Sequence, residues 1–176
     1  MKNILKIIYL TLGVVFLIFI IIFLSSKPSI SDKEINQSLF EKSDNIFFEH
    51  EIIRYYTNIT VIPIKENSSK LEIGISTDKD YIGFGSIYQS YSSRRYLEFI
   101  NNKNKTYEIK LSSRGNISKF LEFEKVGFKI SPGEYKKIKI EAIVPLETVP
   151  GIYTGEIDVI ITIPKNKLSE LFQELI

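Results

Sequence analysis

One hundred and seventy-six residues suffice for one domain of ordinary size together with a tail or an anchor. The chain has no cysteine and a single histidine, His50, which excludes a disulfide framework, a thiol nucleophile, thiolate zinc sites and the common multi-histidine metal sites. Lys2 and Lys6 account for all of the +2 net charge. From Lys27 onward 21 basic residues meet 21 acidic ones, so the bulk of the chain lacks the clustered basic face of a nucleic-acid binder.

A six-residue stub, Met1–Lys6, precedes Ile7 to Leu24, whose eighteen residues (IIYLTLGVVFLIFIIIFL) carry no charge. As a helix that run covers about 27 Å, close to the hydrocarbon thickness of a bilayer. It predicts a transmembrane anchor with the bilayer as its partner. The competing reading is a secretory signal cut near Ser25-Ser26, although signal cores are usually shorter than this run. Lysine counts on the two flanks nearly tie, so the positive-inside rule does not orient the helix. Asparagine does more: Asn36, Asn58, Asn67, Asn104 and Asn116 each begin an N-x-Ser/Thr sequon, five of ten asparagines, and all lie beyond the anchor. They are candidate glycosylation sites, and they favour a cytoplasmic N-terminus with the domain outside the membrane. Composition bias is the plain alternative, since Asn and Ser are both loop residues.

Residues 25–45 read as a polar stalk, with a capping-box spacing at Ser31-Asp32-Lys33-Glu34. Ile46–Tyr56 fits a first strand or a short helix, and its His50 reads as a partly buried or surface histidine rather than a ligand or base. From Ile59 the hydrophobic period is two. Ile59–Ile64 ends near Pro63, as an edge strand or a strand end would. Lys70–Ser76 alternates, and in Arg95–Asn101 Leu97 and Phe99 stand opposite Tyr96, Glu98 and Ile100. Tyr107, Ile109 and Leu111 share a face, as do Val126, Phe128 and Ile130. Ile138, Ile140 and Ala142 point inward against Lys137, Lys139 and Glu141. In Tyr153–Ile163, Ile157, Val159 and Ile161 lie inside, with Glu156 and Asp158 outside. Turn residues separate these runs at Asn102–Asn104, Arg114–Asn116, Ser131–Gly133 and Val149–Gly151. About seven short alternating strands over residues 46–163 predict an all-β antiparallel sandwich with one wet face per sheet. Residues 164–176 place Leu168, Leu171, Phe172 and Leu175 at helical spacing, predicting a short amphipathic helix on the sandwich or on a partner.

Chemistry-bearing patterns are few. Asp78-Lys79-Asp80 lacks the rest of a calcium loop, and Gly83-Phe84-Gly85 lacks a third glycine for a phosphate loop. Tyr81, Tyr88, Tyr91 and Tyr96 are a candidate interaction patch for protein or sugar. Core and rim tyrosine is the plainer reading.

One likeness rests on particular residues. Phe84-Gly85-Ser86, Ser92-Ser93-Arg94-Arg95, Leu97 and Asn101-Asn102 are followed by the strand Tyr107–Leu111, the turn Ser131-Pro132-Gly133, and a Pro-x-x-x-x-Pro-Gly-x-Tyr-x-Gly run from Pro145 to Gly155. In that order they resemble Hydin-like and major-sperm-protein-like immunoglobulin-like modules, including those of membrane-anchored archaeal and bacterial envelope proteins. The likeness covers about Ile59–Ile163. It implies a seven-stranded immunoglobulin-like sandwich serving as scaffold or adhesion module, and it carries over no catalytic, cofactor-binding or metal-binding residue.

The expectation is a single-pass, non-enzymatic protein of the cell membrane. Its extracytoplasmic domain acts as a structural or protein-interaction module of the cell envelope, partnered by another envelope or surface protein. A stator-like part tying a surface appendage to the envelope is an alternative, as is a sugar-binding module or enzyme. Abundant Ile, Lys and Asn with little Arg and Ala suit an AT-rich genome, and the sequons suit an archaeon.

Overall fold

The computed structural model describes residues 6, 9–18, 39–64 and 81–175. The expectations for Ile7, Ile8 and residues 19–24 of the apolar run, for residues 25–38 with Asn36, for Asn67, for Lys70–Ser76 and for Asp78–Asp80 lie outside them. Residues 9–18 are helical (α1) and exposed. No helix among the described residues is long and apolar enough to cross a membrane.

Nine strands form two sheets: β1 (Leu39–Asp44), β2 (Phe48–Ile62), β3 (Tyr81–Tyr88), β4 (Ser92–Ile100), β5 (Tyr107–Gly115), β6 (Leu121–Phe123), β7 (Gly127–Ile130), β8 (Tyr135–Ile143) and β9 (Gly151–Pro164). The larger sheet runs β1-β2-β9-β5-β7 with β3 also on β2, and the smaller runs β4-β8-β6. Chain order ends with helix α2 (Lys167–Leu175). Ile46–Tyr56 and Ile59–Ile64 are therefore one element. β2 is a fifteen-residue strand in the middle of its sheet, ending at Ile62 just before Pro63, so the strand-end reading holds and the edge reading does not.

Two partners share one side of β2. β1 pairs with its first half, Arg54 facing Leu39, and β3 pairs with its second half, Tyr56 facing Tyr81. Every pairing is antiparallel except β2–β3, which is parallel. Parallel neighbours need a crossover of a dozen or more residues, and the chain between Ile62 and Tyr81 has that length. Opposite Asn58–Thr60 of β2, β3 carries one extra residue between Gly83 and Ser86, where Gly85 has φ 75°. This bulge turns both Phe84 and Ile87 into the core, a spacing that strict alternation forbids.

The sheets share two buried clusters. In one, Ile59, Val61, Phe84 and Ile87 of the larger sheet meet Ile140, Ala142 and Val144 from the other side. In the second, Ile109, Leu111, Ile130 and Val159 meet Ile138. Of these, Ile109, Leu111, Ile130, Ile138, Ile140, Ala142 and Val159 are inward as the alternation predicts, and Leu97 and Phe99 join them. Val126 precedes its strand and is exposed, while Phe128 and Ile130 behave as expected.

Two expectations are corrected. Glu156 and Asp158 do lie on the face of β9 away from the smaller sheet, but that face is not wet at its centre. Arg54 and Asp158 are 1% exposed, and His50, Ile52 and Glu156 are buried beside them. The charges are accommodated because they pair with one another rather than with water. In α2, Ser169 and Gln173 are buried while Leu168 and Leu171 are exposed. The helix thus sets Ser169 and Gln173 against the body of the protein. Ser169 and Asn166 exchange capping hydrogen bonds at its start, and the Lys129 ammonium donates to the Gln173 carbonyl near its end.

Candidate functional site

The outer face of the smaller sheet is the most developed open surface among the described residues. Alternation in β4 and β8 sends Ser92, Arg94, Tyr96, Glu98 and Ile100 outward beside Ile143, Glu141, Lys139, Lys137 and Tyr135 in that register. Inward partners such as Leu97 and Ile138 hold the two strands to the core, so the face is a ladder braced from behind. Tyr96 and Tyr135 are 53% and 51% exposed, and Ile100, directly opposite Tyr135, is exposed as well.

Charges run through the middle of this ladder in pairs. The Arg94 guanidinium lies 2.8 Å from Glu141, the Lys139 ammonium 2.9 Å from its other oxygen, and the Ser92 hydroxyl donates to it at 2.9 Å. Arg94, then Lys139 and Ser92, hold the Glu141 carboxyl down to about 2. Lys137 pairs with Glu98 at 3.0 Å, lowering the carboxyl and raising the ammonium, and it sits 4.8 Å from the centre of the Tyr96 ring. Burial, and then the Glu98 charge, push the Tyr135 hydroxyl up. The face therefore offers two tyrosine rings and an isoleucine amid paired charges, three cations on two carboxylates. Such a surface can bind a protein face through aromatic anchors with a polar rim.

Only Tyr96 of the four candidate tyrosines lies here. Tyr81 and Tyr88 start and end β3, seven residues apart along one strand, so the four do not form one patch. Tyr88 packs edge-on against Tyr91 at the turn into β4. Tyr135, outside the candidate patch, continues the outward Lys139, Lys137 alternation by one more step, which is the signal in the sequence that points to it. Of the described sequons, Asn104 and Asn116 are exposed in turns and Asn58 is half-buried in β2 between β3 and β9. Attachment of a glycan to a central strand is the least accommodating of the three. The Asn116 side-chain oxygen (Oδ1) accepts from the Thr154 backbone amide at 2.7 Å.

Behind the larger sheet lies a second charged constellation. Arg54 on β2 faces Asp158 on β9, and Glu156, one step along, faces Arg114 on β5. The Arg54 guanidinium reaches Asp158 at 2.9 Å and Glu156 at 3.5 Å. Arg114 reaches Glu156 at 2.8 Å and Asp158 at 3.0 Å. Two cations and two carboxylates in alternation form a closed structural lattice. Gly155 allows it: a β-carbon there would lie 2.0 Å from the Arg114 carbonyl oxygen, so only glycine lets β5 and β9 approach this closely. His50 lies two rows away, buried, with Nδ1 3.2 Å from the Thr162 hydroxyl. Among the described residues no three His, Cys, Asp or Glu gather as metal ligands. No protein-family model and no curated protein matches the chain.

Proposed function

We propose that this chain is a membrane-anchored, extracytoplasmic interaction module of the cell envelope, with an immunoglobulin-like sandwich as its body and the outer face of β4 and β8 as its binding surface. The observation that carries this reading is that face, where Tyr96 and Tyr135 stand half exposed on a core-braced ladder whose charges are paired with one another. Aromatic anchors of this kind dominate protein–protein binding energy, and paired charges around them limit the cost of desolvation. The uncharged run from Ile7 to Leu24 supports the anchor, and the sequons beyond it support an external domain. The order of motifs from Phe84 to Gly155 supports an immunoglobulin-like assignment of the two facing sheets.

A photo-crosslinking amino acid placed at Tyr96 or Tyr135 of the full chain in its native membrane should yield one discrete adduct. The same group at the exposed Lys110, on the larger sheet, should not. Alanine at either tyrosine should weaken the complex by about 1–2 kcal/mol. An adduct from Lys110 alone would place the interface elsewhere.

A further inference from the structure

One end of the molecule carries an apolar tip. β2 runs toward it, β9 starts from it, and the turn between β8 and β9 forms it. Leu146, Val149 and Ile152 project there at 57%, 71% and 70% exposure within seven residues, and Ile64 adds to them; the one charge in that stretch, the exposed Glu147, lies in the same wall as Lys119 and would stay with it at the headgroups. The turn is held in place. The Tyr153 hydroxyl donates to the Val149 carbonyl at 2.7 Å, its ring packs edge-on against Phe120, and the Gln89 amide donates to the Thr148 carbonyl at 2.6 Å. The Thr148 amide in turn donates to the Pro145 carbonyl at 3.2 Å.

From this the geometry points to the occupant: the tip inserts into the outer leaflet of the same bilayer that holds the proposed anchor, an inference that rests on the anchored reading above. Three features favour lipid over a protein partner. Pro145 and Pro150 lack N–H donors, and the Pro145, Thr148 and Val149 carbonyls are already bonded, so little of the turn's backbone must be desolvated without a partner. Tyr91, exposed at the neighbouring turn, and Lys119, whose ammonium lies 4.7 Å from the Tyr153 ring centre, place an amphipathic ring and a cation at headgroup height. Finally, β1 runs away from the tip with Leu39 opposite Arg54, so its first residue looks back toward that end. From Arg54 to Ile62 is about 27 Å of strand, and the fourteen residues between Leu24 and Leu39 span at most roughly 50 Å. The chain therefore reaches from a membrane at the tip to Leu39 with slack.

The absence of native cysteine makes the test direct. Val149→Cys, Leu171→Cys and Lys137→Cys forms of the full chain carry an environment-sensitive fluorophore in phosphatidylcholine–phosphatidylglycerol vesicles, with and without nitroxide lipids. The label at 149 should shift to the blue and lose at least half its emission to the nitroxide, while those at 137 and 171 stay water-like. Adding Leu146→Asp and Ile152→Asp should return the label at 149 to water. A water-like label at 149 in protein that resists carbonate extraction overturns the tip docking and leaves the anchor standing. Release of every form by carbonate overturns the anchor and the docking together. Quenching at 171 instead turns the molecule the other way up, and burial of 149 only in native membranes assigns the tip to a protein; either result overturns the proposal.

Discussion

Arg54 and Asp158 face each other across neighbouring strands although 104 residues separate them in the chain. Each is nearly inaccessible to water, so each depends on the other and on Glu156 and Arg114 for its solvation. Removing one member leaves a buried charge uncompensated. Asp158→Ala and Arg54→Met should each cost about 3–5 kcal/mol in chemical denaturation. Glu141 behaves differently because it sits on the open face. Its carboxyl is ordinarily near 4.5 and is held at about 2 in the folded protein, first by Arg94 and then by Lys139 and Ser92. A folded-state value below the unfolded one means that the contribution is complete above about pH 5 and is lost as pH falls through about 2. Glu141→Gln should therefore lower stability at pH 7, and the difference from the parent should shrink steadily as the pH is taken down through 2, read from unfolding curves across that range. The Glu156 and Asp158 positions were legible as facing away from the core strands. Their burial was not, because a charged residue on an outward phase looks the same in sequence whether water or a distant arginine meets it.

At the level of elements, the close contact of β5 and β9 governs the larger sheet. A β-carbon at Gly155 would meet the Arg114 carbonyl oxygen at 2.0 Å and Ile117 at 2.8 Å. Since the nearest atom is backbone, the strands must separate, and Gly155→Ala should destabilise by about 3 kcal/mol or more. Heteronuclear NMR should show the disturbance at Arg114–Ile117 and Thr154–Glu156 first. Helix α2 teaches a related lesson. Its spacing was legible, and so was its apolar stripe, but Leu168 and Leu171 turn out exposed while Ser169 and Gln173 are buried. One lysine reaches from the body to the helix backbone, Lys129 to the Gln173 carbonyl, and Lys105 holds the lead-in by donating to the Pro164 carbonyl at 2.9 Å. Those donors come from β7 and from the loop before β5, neither of which the helix sequence can report.

For the whole molecule, the proposed anchor sets where every surface points. The mature chain should keep Met1–Lys6 and require detergent for extraction, as N-terminal sequencing of the purified protein would establish. A start at or beyond Ser26 would instead identify a cleaved signal. Phe16→Arg places a charge in the middle of the apolar run and should cost roughly 2.5–3.5 kcal/mol of insertion free energy, visible as a smaller carbonate-resistant fraction. Because β4 starts and β8 ends on the side of the tip turn, with Tyr135 at the opposite end of the pair, a molecule resting on its tip would hold Tyr135 away from the membrane, open to a neighbour.

Alternation with a period of two is a local property, and it determined which residues of β4, β5, β8 and β9 face the core. The turn residues between them fixed where those strands stop, and the unbroken apolar run determined the one segment suited to a bilayer. Pairing is long-range. The parallel match of β2 with β3, the merger of two predicted segments into β2 and the separation of Tyr81, Tyr88 and Tyr96 follow from which strands become neighbours. So does the burial of four charges behind the larger sheet. Only the tertiary structure decides these, because a strand's own side chains specify its two faces but not what comes to cover them.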